Sequence, residues 1–128
     1  MGLKATVTKV DATLNHFVVK GTIATSGSYP GSGNGDVLDF TVLGVGPVPF
    51  PATTQVPDDV RIFEAPAAGT SAAGLLYNFS PGTTQKNGKV QLFQSAGSAA
   101  VFGQVGNVTY ASLTIVNLSF TAWFPKFQ

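Results

Sequence analysis

The chain contains no cysteine. Disulfides, thiolate metal sites and thiol nucleophiles are therefore excluded, and packing with ladder hydrogen bonds must hold the fold. Charge is nearly as scarce. Asp, Glu, Lys and Arg make up 10% of the 128 residues, against roughly a quarter in ordinary soluble domains. Seven basic and six acidic side chains leave a formal net charge of +1. The lysines are dispersed, at Lys4, Lys9, Lys20, Lys86, Lys89 and Lys126, so neither a nucleic acid nor a membrane partner is expected. No stretch approaches the roughly 18 consecutive apolar residues of a membrane span. Met1 to Thr6 lacks the apolar core of a signal peptide, so none is expected.

Histidine occurs once, as His16. It falls on the face of a strand opposite Phe17, among Lys20 and Thr22, which reads as a solvated strand histidine. No second histidine completes a zinc site, and a Ser or Thr nucleophile would have to borrow this one imidazole. The acids are Asp11, Asp36, Asp39, Asp58, Asp59 and Glu64. Asp36 with Asp39, or Asp58 with Asp59, are the only pairs resembling a glycosidase arrangement. Both adjoin turns, where aspartate commonly bonds its local backbone. No catalytic residue, metal ligand or cofactor is expected, and the chain is not expected to be an enzyme.

What is abundant is Val, Thr, Ile and Phe at a spacing of two, broken by Gly and Pro. That pattern suits pleated, half-buried strands and shows almost no helical period. Strands are expected at about Leu3 to Asp11, Leu14 to Thr25, Val37 to Leu43, Val60 to Glu64, Leu75 to Ser80, Lys89 to Gln94 and Ser112 to Phe124. Gly21 marks a bulge or a close backbone approach. Pro81 to Gly88, ending in Asn87-Gly88, joins two of these strands as an antiparallel hairpin. Ala96 to Val105 reads either as a further short strand around Ala100 to Gln104 or as a loop with a helical turn. The sum is a single antiparallel all-β domain, a β-sandwich or jelly roll of about seven to eight strands. To it are added an N-terminal arm at about residues 1–5, a Pro-rich loop at 44–57 and a C-terminal tail at 123–128.

Aromatic and apolar side chains on irregular segments are the candidates for binding. Leu3, Tyr29, Phe50, Trp123, Phe124 and Phe127 are the expected partner-binding residues, because apolar anchors among few charges match an interface core. Each alternatively caps one end of the sandwich. Tyr29 and Trp123 would also suit a sugar platform, with Asp36 or Asp39 taking hydroxyls or calcium, so a carbohydrate-binding or adhesion module is the rival reading.

The order of features carries a resemblance. Gly35-Asp36-Val37-Leu38-Asp39-Phe40 is followed by Tyr77-Asn78-Phe79-Ser80-Pro81-Gly82-Thr83-Thr84, then Asn87 to Phe93, then Leu118-Ser119-Phe120-Thr121-Ala122-Trp123-Phe124. This order resembles the small head decoration, or cement, proteins of tailed bacteriophages. The resemblance implies a structural virion protein on the outer surface of the capsid, bound to the major capsid protein and self-associated as a dimer or trimer. The Pro-rich segment 44–57 has no counterpart in it.

Overall fold

The computed structural model describes residues 2–31, 35–40, 56–69, 73–95 and 102–126. It is an all-β sandwich. The first sheet begins with a hairpin of β1 (Leu3–Ala12) and β2 (His16–Thr25). The turn consumes residues assigned to a strand by the periodicity. Thr13 donates its N–H to the His16 carbonyl at 2.8 Å, and its hydroxyl accepts the His16 N–H at 3.1 Å. Leu14 is thereby lifted out of the ladder and left 85% exposed, so β2 starts at His16.

Gly21 sits where the two strands come closest. A Cβ there would lie 2.0 Å from the Thr6 carbonyl oxygen and 2.8 Å from the Phe120 ring, so only hydrogen fits. Beside it the β1–β2 register slips by one residue between Val7 and Lys9. Such a bulge puts two residues of one strand opposite one of its partner. Thr8 and Lys9 are both exposed, while Ala5 and Val7 before the slip are buried and Val10 after it packs against the core. The slip preserves an apolar inner face along all of β1.

β2 pairs on its other side with β10 (Leu118–Pro125), which in turn pairs with β5 (Asp59–Glu64), giving the order β1-β2-β10-β5, all antiparallel. In β10 the alternation is complete: Leu118, Phe120, Ala122 and Phe124 are buried and the residues between them are not. The expected strand from Ser112 is shorter than its pattern. Residues Tyr110–Leu113 form one helical turn, α1, and Thr114 and Asn117 have φ of 53° and 46°. Left-handed residues cannot stay in a ladder, so pairing resumes only at Leu118.

The second sheet is built on β7 (Lys89–Ser95), with β6 (Leu76–Ser80) along one edge. Its other edge is shared by β4 (Asp36–Val37) at one end and β8 (Phe102–Gln104) at the other. A two-residue ladder of β3 (Ser28–Tyr29) and β9 (Val108–Thr109) links the sheets at one rim. The ambiguous stretch therefore contains a strand at Phe102–Gln104, and 96–101 lies outside the described residues. The strand expected at Val37 to Leu43 is a ladder only at Asp36–Val37. Beyond it Leu38 and Phe40 donate their N–H groups to the carbonyls of Gly88 and Gln85, in the turn after β6.

That turn contact delivers Phe40 to the middle of the core. Its ring meets those of Phe124, Phe120 and Phe79 edge-on, at 5.2, 5.8 and 6.0 Å. Two of these rings belong to the first sheet and one to the second, so Phe40 is the side chain through which the sheets are packed together.

Candidate functional site

Six residues were expected to present contacts, and the structure separates them. Tyr29 and Phe124 are fully buried, and Leu3 is 5% exposed. They are core residues of this chain and offer no surface to a partner. Tyr29 is held because its hydroxyl accepts the Leu92 N–H and the Gln104 side-chain N–H, both at 3.0 Å, and its ring meets Tyr110 edge-on at 6.1 Å. Leu3 is the first residue of β1, paired with Thr25, so the described part of the expected arm is a strand. Phe50 and Phe127, and the Pro-rich segment from 44 to 55, lie outside the described residues. Only Trp123 remains at a surface.

Trp123 lies on the outer face of the first sheet. The strand registers place Asp11, Val18, Trp123 and Asp59 in one row across all four strands. The adjacent row is Lys9, Lys20, Thr121 and Arg61, and the next is Thr6, Thr22, Ser119 and Phe63. Neighbouring strands are about 4.8 Å apart, so each row spans about 15 Å. Arg61 lies over the Trp123 ring, its guanidinium carbon 5.5 Å from the ring centre, while its Nε donates to the Asp59 carboxylate at 3.2 Å. Lys9 stands 3.7 Å from Asp11. The face is polar and threonine-rich, with Trp123 in the first of these rows, the exposed Phe63 in the third and the cations between them.

The end of β10 is stitched down. Lys126 donates its backbone N–H to Asn15 and its ammonium to the Thr13 carbonyl, and the ammonium also lies over the Phe17 ring at 5.2 Å. The described part of the expected tail, 123–126, is thus a strand end clamped to the β1–β2 turn. His16 sits beside this clamp. It is not a freely solvated side chain: its Nε2 is 2.5 Å from the Asp58 carboxylate. The carboxylate pair imagined at Asp58 and Asp59 is accordingly divided, one acid serving His16 and the other Arg61. Asp36 is 7% exposed and accepts the Tyr110 hydroxyl at 2.6 Å. Burial, and then this carboxylate, hold the Tyr110 phenol far above its usual pKa.

Depressions among the described residues include a cleft and a groove. A shallow cleft of about 610 Å³ is walled by the ends of β2 and β10 with Ala65 and Ile115, all aliphatic, hydroxyl or amide groups. A smaller groove of about 320 Å³ lies between β5 and β6, with Phe63 and Leu76 at its lips and Glu64 and Tyr77 inside. Glu64 accepts the N–H of Ala73 at 3.1 Å. The Tyr77 hydroxyl is buried with no hydrogen-bond partner among the described residues. Burial and the Glu64 charge raise its pKa well above the ordinary tyrosine value.

Sequence reading singled out Trp123 but not the side chains around it. Lys9, Lys20 and Arg61 are remote from one another in the chain, and only the registers bring them into one row. Family models, curated proteins and solved structures were all compared with the chain, and none of them matches it.

Proposed function

We propose that this protein is a structural adhesion protein that binds the outside of an assembled phage shell and stabilises it. The single observation that carries the reading is the four-stranded outer face of the β1-β2-β10-β5 sheet, on which Trp123 lies under the Arg61 guanidinium among polar side chains. Small-molecule sites are typically concave and mostly apolar. Protein contacts use flatter faces with aromatic and Arg anchors inside a polar surround. The resemblance of the Tyr77 to Phe93 hairpin and of the closing strand to head decoration proteins names the lattice. Its copies bind together on one closed surface, so weak single contacts suffice.

The carbohydrate reading has lost support from two of its residues. Tyr29 and Asp36 are buried and engaged inside the sandwich, leaving Trp123 without the second ring and with only Asp39 of the two acids assigned to it.

A ligand that binds only the assembled shell stabilises it by mass action. Adding the purified chain to empty shells built from a tailed-phage major capsid protein is expected to raise the temperature at which the shells come apart, in proportion to occupancy. An unchanged disruption temperature at saturating protein would refute the proposal.

A further inference from the structure

Building on the reading of the chain as a shell-binding protein, we infer that the outer face of the first sheet is its docking surface and that the matching surface on the shell is an acidic protein patch. Charge in this molecule is scarce but not evenly spread. Four of the seven cations, Lys4, Lys9, Lys20 and Arg61, belong to this sheet's outer face, against Asp11 and Asp59 on it and Asp58 held at its end by His16. The cations outnumber the acids there by one, and three of them share the middle row.

The arrangement is also one that folding alone would not select. Lys9 and Lys20 are directly opposed across the β1–β2 pair, and like charges at opposed positions weaken a sheet. Asp11 relieves Lys9 at 3.7 Å. Lys20 has no carboxylate partner among the described residues and shares its row with Arg61 across Thr121. A row of cations beside the only tryptophan is suited to an acidic surface, where it steers encounter and fixes register.

Other occupants fit less well. A second copy docked with its cation row in register with this one would set like charges together. A nucleic acid is held chiefly through many phosphates, whereas this surplus is small and Asp11 and Asp59 stand within it.

The test uses the full chain, empty shells of a tailed-phage major capsid protein and the fluorescence of Trp123, the sole tryptophan. Binding is expected to weaken roughly tenfold or more between 50 and 300 mM NaCl, as exposed charge pairs are screened. Lys20→Gln is expected to bind about tenfold more weakly while unfolding at the same or a higher temperature, and Lys20→Arg to bind normally. A purely structural Lys20 predicts the reverse, lower stability with binding intact. Asn78→Lys, on the other sheet, is expected to bind like the unaltered chain. Failure of the unaltered chain to sediment with shells overturns the shell-binding reading and this inference with it. Normal sedimentation that ignores both salt and Lys20→Gln overturns the inference alone. Quenching of Trp123 by oligothymidylate at concentrations matching the shell affinity assigns the face to nucleic acid and overturns it as well.

Discussion

The two outer faces of the sandwich are made by the same alternation and yet are chemically unlike. On the first sheet, cations, paired acids and Trp123 stand among threonines. On the second, the rows are Leu76 with Phe93, Asn78 with Gln91, and Ser80 with Lys89. Asn78 donates its side-chain amide to Gln91 at 3.0 Å, closing that face on itself. Outward polar residues suffice to keep a sandwich folded, and apart from the Leu76–Phe93 row the second face presents only those. The additional chemistry of the first face is what a fold-based account leaves unexplained, and it is there that function is sought.

The contrast depends on the faces being held back to back, so its largest test is the core. Phe40→Ala removes the ring shared by Phe79, Phe120 and Phe124 and is expected to cost about 3–5 kcal/mol in chemical denaturation. Gly21→Val is expected to cost about 1–3 kcal/mol by overpacking, because its Cβ has no room against Thr6. It should also disturb the bulge and thereby the placement of Lys9, seen as weaker shell binding than the stability loss alone produces.

Alkaline pH should separate the sheets. Tyr77 and Tyr110 have raised pKa values in the folded chain, so their stabilising effect is complete below the unfolded tyrosine value of about 10. Above it the unfolded chain sheds protons that the folded chain keeps, and stability falls as pH climbs towards the folded values. Tyr77 lies on β6 and the Tyr110 partner Asp36 on β4, so the second sheet should open first, read by amide exchange at rising pH. Tyr77→Phe should flatten the decline and, by deleting an unpartnered hydroxyl, leave neutral-pH stability unchanged or slightly higher.

The smallest effects compare the faces directly. Arg61→Ala is expected to cost about 0.5–1 kcal/mol through loss of its contact with Trp123, with a shift in tryptophan emission. Asn78→Ala on the second face is expected to fall within about 0.5 kcal/mol. Equal effects at both positions would erase the distinction.

The alternation of β10 and the turn signals at Pro81 to Gly88 were enough to read an all-β sandwich, because period-two burial is a local property of the chain. Gly21 was legible for the same reason: a glycine amid branched residues calls for a local explanation. Tyr29 was not. It follows Gly27 and precedes Pro30 in a stretch that reads as loop, and its burial comes from Leu92 and Gln104, far along the chain. Thr114 and Asn117 broke a pattern that Ser112 to Phe124 otherwise sustains: threonine gives no sign of a left-handed backbone, and the tolerance of Asn117 for it is hidden within the alternation. The cation row escaped detection for a deeper reason: register is a pairwise property, and a single sequence records which residues alternate but not which ones meet.

The one-residue slip at Thr8 makes β1 tolerant of a shorter chain at that point alone. Loss of the Thr8 codon would close the bulge and leave Lys9 opposite Lys20 and Val10 facing the core, whereas a residue gained or lost elsewhere in the strand turns its apolar side chains towards water.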